Sequence, residues 1–370
     1  MNDRRKRRRR SSNGLVDVLN ALLTLLVIGL VVVGGGFLFV AQQYYGDGPS
    51  NEERVFRVES GNTLSTTASR LEEQGFISNA LIFRQFGARV EDNTTVKAGD
   101  FTIPANASMS EILRELTTGT PIRYAVTIPE GWTSWQVVQR VNADDRLTGT
   151  IDTLPPEGSI LPGSYDYLPS DTRQSVIDRM QAAMTAALAE TWEGRQADLP
   201  LASPAELLIL ASIVERETGV AEERPQVAAV FVNRLKEGMR LQSDPTIIYG
   251  ITLGQSTLER GLRRSEIEEK TAYNTYQIDG LPPTPIANPG IEALRAVANP
   301  DSHNYLYFVA KGASPRDGHV FAETYAEHQQ NVARYREIER EAAEQAATDA
   351  EAARQALEAE EANGSEGGNQ

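Results

Sequence analysis

The chain lacks cysteine altogether and has three histidines in 370 residues. The first absence excludes disulfides, a thiolate nucleophile and any cysteine-ligated metal. His303, His319 and His328 show no ligand-like spacing, so neither a zinc nor an iron centre, nor any other cofactor, is expected. Positive charge is also scarce beyond the extreme N-terminus. Seven of the first ten residues are Arg or Lys, and the rest of the chain carries 29 basic against 50 acidic side chains, a net of −21. So acidic a body is a poor nucleic-acid binder.

What is present starts with an uncharged run, residues 18–41, "VLNALLTLLVIGLVVVGGGFLFVA". It is long enough to cross a hydrocarbon core of roughly 30 Å as a helix and longer than a typical signal-peptide core of about 7–15 residues. Basic residues precede it, and Asp47, Glu52 and Glu53 follow it. The positive-inside rule then predicts a single-pass anchor with residues 1–17 as a cytoplasmic basic tail and the body of the chain outside the inner leaflet. Gly34–Gly36 weaken the helix less in lipid than they would in water.

Residues 42–54 read as a linker. "VFRVE" alternates as a strand, "SGNT" is a turn with a helix N-cap, and "LSTTASRLEEQG" continues as a helix stopped by Gly75. A second helix is expected over 81–90, turn plus strand over 96–104, and a helix over 108–119 with Ser108 and Glu111 in capping-box spacing. "VESGNTLSTTASRL" (58–71) aligns without gaps to "IPEGWTSWQVVQRV" (128–141), matching Gly61 to Gly131, Thr63 to Thr133 and Arg70 to Arg140. This is a partial internal repeat or a recurring local unit. Residues 151–170, with four prolines, predict an irregular wall, and a helix is expected over 171–196. Beyond 335 the chain is an acidic, Ala-rich helical tail fraying to a disordered end (336–370).

The chemistry concentrates in 203–325. Ser203-Pro204 starts a helix, Glu206 stands in capping-box position, and Gly219 marks the stop. Near the end comes "ERE". At about 100° per residue, Glu217 shares a face with Leu210, Ile213 and Val214, and Glu215 with Leu208, Ala211 and Ser212. Both faces are apolar, and helix geometry does not choose between the two. A helix C-terminus and apolar surroundings both raise a carboxyl pKa, which suits a general acid, unless Arg216 or Arg224 cancels the effect. Downstream, 230–250, 271–290 and 303–321 are dense in Asn, Gln, Tyr, Arg and Gly. Tyrosine faces and planar amides suit sugar recognition.

The segment "V-x-x-G-N-T-L-x-x-x-A" (58–68) resembles a LysM module, a family that binds N-acetylglucosamine-containing glycans. "SIVERET", "VFVNRLKEGMRLQSDPT", "YNTY", "GLPPTPI", "NPG" and "YLYFVA" together resemble the endolytic murein transglycosylase family (MltG, YceG-like), over roughly 55–335. The resemblance implies an α+β protein with a LysM-like βα subdomain (55–125) and a mixed α/β catalytic domain (126–335). It implies a lyase that cuts nascent peptidoglycan strands between N-acetylmuramic acid and N-acetylglucosamine, leaves 1,6-anhydro ends and terminates elongation. Peptidoglycan strands are the expected partner, with peptidoglycan synthases in the same membrane.

Lytic transglycosylases take their acid from a Glu-Ser or Glu-Thr pair at a helix end. The match here is Glu217-Thr218, with Glu215 as the alternative. Asn233, Gln242, Asp244, Tyr273, Asn274 and Tyr276 fall in family-like blocks and are the expected glycan contacts. One departure is "LPGSYDY" after Glu157-Gly158, where the family usually has an acidic-Thr pair. Two other readings remain: a non-enzymatic wall-binding scaffold, and an inverting hydrolase with Asp244 as second carboxylate.

Overall fold

The computed structural model describes residues 14–169, 171–314 and 316–366, with side chains placed up to 355. Most of the expected basic tail, and the last four residues of the acidic one, lie outside them. The described chain divides into two compact units, one running up to Tyr124 and taking in Leu168–Ser170, the other comprising Ala125–Tyr167 and Asp171 onward.

The first unit opens with helix α1 (Gly14–Tyr45), which runs unbroken through the three glycines and four residues into the expected linker. Its flanks from Leu15 to Phe39 are exposed, apolar and uncharged after Asp17. A βααβ arrangement follows: β1 (Arg54–Val58), α2 (Leu64–Glu73), α3 (Ala80–Val90) and β2 (Gly99–Ile103), then α4 (Met109–Thr118). β1 pairs antiparallel with β2, placing Phe56 opposite Phe101. Period-two alternation turns Phe56 and Val58 inward against Leu71, Phe83 and Leu113. Tyr44, from the last turn of α1, is fully buried in that same core.

The second unit begins with β3 (Tyr124–Ile128), α5 (Ser134–Asn142) and β4 (Gly163–Tyr167), β4 pairing with β3. The strand β4 corrects the expectation of irregular chain throughout 151–170. Its prolines lie outside "GSYDY", which is free to extend and pair. The two repeat segments share local physics: Gly61 and Gly131 both sit at positive φ, 82° and 74°. Thr63 and Thr133 both cap the next helix through a complete capping box.

Four helices then build the main core: α6 (Arg173–Glu193), α7 (Pro204–Glu217), α8 (Arg224–Lys236) and, later, α11 (Ile291–Ala298). α7 is central, burying Leu207, Leu210, Ile213 and Val214 against Val227, Phe231, Leu294 and Val297. Two details of its ends differ from expectation. Glu206 accepts from the Ala202 amide at 2.7 Å instead of closing back on Ser203, although Ser203 caps the Glu206 amide. The helix ends on Glu217 with an extended Thr218 cap, and Gly219 takes no left-handed φ. Short α9 (Asp244–Thr252) and α10 (Arg264–Glu268) precede α11. The hairpin β5 (Tyr307–Ala310) and β6 (His319–Ala322) packs against α12 (Tyr325–Glu366), one long helix from ahead of the expected tail through most of it.

Candidate active site

Helix α7 delivers two glutamates from its last turn into different surroundings. Glu215 has a side chain 5% exposed, and both its oxygens are engaged. Oε2 accepts from the Gly290 amide at 2.9 Å, and Oε1 accepts from Arg224 at 3.3 Å. Arg224 also donates to Glu130 at 3.1 Å. Burial raises the Glu215 pKa, opposed by the Gly290 amide and the Arg224 charge. Glu215 thus ties α7 to the "NPG" loop and to the turn at Glu130.

Glu217 is half-buried and keeps solvent access. Its Oε1 accepts from an uncharged group, the Ser243 hydroxyl. Burial pushes the Glu217 carboxyl up to about 7. The Ser243 hydrogen bond pulls the other way, the Asp244 charge adds to the rise, and the charges of Arg234 and Arg216 oppose it. A carboxyl balanced near neutrality can both give and take a proton at pH 7.

Ser243 is held from behind. It is 1% exposed, its amide donates to Thr275 Oγ1 at 2.9 Å, and Thr246 donates to its carbonyl at 2.6 Å. Thr246 and Thr275 share a hydrogen bond of 2.9 Å. The "SDPT" and "YNTY" blocks are thereby joined. Gln242 enters this bend at φ +50°, a left-handed conformation uncommon outside glycine. Ser243 is the N-cap residue of α9, yet makes no side-chain cap bond; its hydroxyl is turned to Glu217 instead.

Asp244, the first residue of α9, is exposed and accepts from the Tyr276 hydroxyl at 2.7 Å. Burial, then the Asp244 carboxylate, push the Tyr276 phenol above its usual range and keep it neutral. Arg234 is 6% exposed and fixed by the carbonyls of Leu306 and Leu241, both at 2.6 Å.

Of the expected glycan contacts, Gln242, Asp244 and Tyr276 gather beside Ser243, next to Glu217. The others serve the scaffold. Asn233 spends its amide on the carbonyls of His303 (2.8 Å) and Tyr305 (3.1 Å). Asn274 is fully buried and donates to the carbonyls of Glu266, Ile267 and Glu269, so it has no surface to offer a sugar. The cause is general: a buried amide that satisfies orphan carbonyls at a helix end is as useful to folding as to binding. Tyr273 is half-buried, edge-on to Tyr249 at 5.1 Å and hydrogen-bonded to Thr284 at 2.8 Å.

Sequence reasoning passed over Ser243, Arg234 and Asn288, and met Glu157 only as the residue ahead of the departing "LPGSYDY" block. Fully buried Asn288 bonds the Trp132 carbonyl, Ser134, Glu157 and the Ile160 amide, all within 3.2 Å. It pins the turn 128–134 and the Glu157 loop to the "NPG" segment. Gly158, at φ +78°, lies so close to Pro285 that an added Cβ would meet its Cγ at 2.6 Å. The "EG" and "GLPPTP" blocks therefore form one packed wall. The signal for these residues was their position inside dense motif blocks; their types alone read as caps and turns.

A model of the YceG-like family matches residues 56–334. The chain belongs to the YceG-like family. It is similar to a protein named endolytic murein transglycosylase from Bacillus subtilis (strain 168), 27% identical over 337 residues, covering 82% of this chain and 91% of that one. A protein of the same name from Streptococcus pneumoniae serotype 2 (strain D39) is 28% identical over 358 residues, covering 84% of this chain and 64% of its own length. The chain thus spans somewhat less than two thirds of the pneumococcal relative. A crystal structure described as a yceG-like protein from Listeria monocytogenes matches with a TM-score of 0.46 and 25% identity, covering 76% of this chain and 99% of that one.

Proposed function

We propose that this chain is a membrane-anchored endolytic lytic transglycosylase that cuts peptidoglycan glycan strands between N-acetylmuramic acid and N-acetylglucosamine. The observation that carries the reading is Glu217, held near neutral pKa at the end of the central helix and oriented by a single hydroxyl. The names of the relatives agree with it.

Protonated Glu217 donates to the glycosidic oxygen as the bond from the muramic anomeric carbon breaks. The sugar's own 6-hydroxyl then attacks that carbon and returns its proton to the Glu217 carboxylate. No water is consumed, and a 1,6-anhydro end results. Ser243 stabilises the carboxylate between the two proton transfers. Gln242, Asp244 and Tyr276 line the approach, where an exposed carboxylate–phenol pair offers hydrogen bonds to sugar hydroxyl and acetamido groups. Asp244 is engaged by Tyr276, which disfavours its service as the free base of an inverting hydrolase.

The first unit's strand, Gly turn and capped helix support a LysM-like role, holding the strand that the second unit cuts. Basic residues before α1 support a cytoplasmic N-terminus, a periplasmic body and access to peptidoglycan synthases in the same membrane. The test is the full-length protein on uncrosslinked glycan strands, with mass spectrometry of the products. Anhydro-muramic ends are expected. Reducing muramic ends would indicate a hydrolase, and strand binding without products would indicate a scaffold.

A further inference from the structure

The end of the anchor helix does not hang from the first unit; it is built into it. Tyr44 is fully buried, packed where Gly87 of α3 leaves room, since a Cβ there would lie 3.2 Å from the Tyr44 hydroxyl. Two turns earlier, Phe37 meets Phe86 of α3 at 5.8 Å between ring centroids. Phe86 also contacts the rings of Tyr44 and Tyr45, at 5.2 and 6.2 Å. With no flexible joint between them, α1 sets the depth of α3.

That depth can be counted. A hydrocarbon core of roughly 30 Å takes about 20 helical residues. Counted from Val18, the first residue after charged Asp17, such a span ends near Phe37, the residue that touches α3. α3 therefore lies at the outer edge of the hydrocarbon. Its outward side carries Leu81, Gln85 and Arg89 at helical spacing, with Leu81 59% exposed. Between it and α1 runs a groove of about 360 Å³ lined by Val40, Leu81, Ile82 and Phe86, with Gln85 and Arg89 as its polar members. The helix itself holds Arg84, which donates to Ser65 at 2.7 Å, and exposed Arg89, which turns back to Gln85, and its first acidic neighbour is the C-cap Glu91.

We propose that α3 is an interfacial helix that binds outer-leaflet lipid, with acyl chains against Leu81 and Phe86 and a headgroup phosphate at Arg89. This rests on the reading that α1 spans the membrane. The exposed apolar side of α3 and its positive charge then share one explanation, and the first unit is held at the membrane surface instead of swinging on a tether.

The absence of native cysteine makes the test clean. The full chain is reconstituted in nanodiscs of phosphatidylethanolamine and phosphatidylglycerol, with an environment-sensitive fluorophore on Leu81→Cys, on Val27→Cys inside α1, or on exposed Thr102→Cys in β2. Lipid labelled with a shallow nitroxide is expected to quench the Leu81 probe about twofold or more relative to the Thr102 probe, while aqueous iodide quenches it less. Quenching of the Val27 probe by a deep nitroxide with a fully iodide-accessible Leu81 probe would overturn the inference and leave the anchor standing. A Val27 probe untouched by lipid quencher would overturn both. Protection of Leu81 only after another protein is added would assign the surface to that protein and overturn the lipid assignment.

Discussion

Glu215 and Glu217 stand two residues apart at the end of one helix, in pockets of opposite design. Around Glu215 the protein supplies a guanidinium and a backbone amide, one for each carboxylate oxygen. Around half-buried Glu217 it supplies a hydroxyl and a nearby carboxylate, with the charges of Arg234 and Arg216 opposing the rise that burial causes. Burial raises both carboxyls; in the first pocket an amide and a guanidinium oppose the rise, and in the second the carboxyl is pushed up to about 7. One carboxyl is thereby tied to its neighbours and the other, as we propose, is the acid–base group, and the difference lies in what the rest of the fold brings to each oxygen.

The sharpest way to break this comparison is to neutralise Glu217. Glu217→Gln should lower strand cleavage by about 10³-fold with the fold retained, measured as anhydro ends released per minute. Full activity in that variant with an inactive Glu215→Gln would reverse the two roles. The wild-type rate should fall as pH rises through about 7, where Glu217 loses the proton that the proposed mechanism has it donate.

Stability tests the same pocket in the opposite direction. The folded-state pKa of Glu217, about 7, stands above its ordinary 4.5. Across that window the folded chain holds the extra proton, so stability falls as pH rises and stays lowered above it. Glu217→Gln is therefore expected to be more stable than wild type at pH 8, by up to about 3 kcal/mol, with the gap closing near pH 4. Urea melts at both pH values read this directly.

Glu215→Gln should behave as a broken clamp. A loss of about 2 kcal/mol in stability is expected with product chemistry unchanged, and urea melts alongside product analysis check it. Ser243→Ala should cost about tenfold in kcat, near 1.4 kcal/mol, with little change in KM. Because the hydroxyl favours the carboxylate, its loss should move the alkaline limb of the pH–rate profile upward, and Ser243→Thr should restore part of both. An unmoved limb would remove Ser243 from the mechanism. Tyr276→Phe should have the smallest effect, about threefold in KM, because only its hydrogen bond to Asp244 is lost.

Much of the fold was legible in residue order. Ser108 with Glu111, and Thr133 with its Gly131 turn, announce helix starts through contacts three residues apart, and those contacts form as read. The apolar run of α7 announces a helix buried nearly all round, as the core requires. The site was only partly legible. Asn233 and Asn274 have the chemistry to bind sugars, but their amides meet carbonyls distant in sequence or around a helix end. Ser243 looks like an ordinary N-cap, and its hydroxyl is claimed by a glutamate 26 positions earlier in the chain.

By itself the sequence determined the long apolar N-terminal helix, the capped helices, the Gly turns and the presence of two carboxyls at one helix end, because each depends on neighbours within a few residues. Only the tertiary structure decided which carboxyl is clamped and which is free to titrate. A pKa depends on every charge and dipole within several ångströms. Here those groups arrive from α8, α9 and the loops at Gly290 and Thr275, segments that folding alone brings to the end of α7.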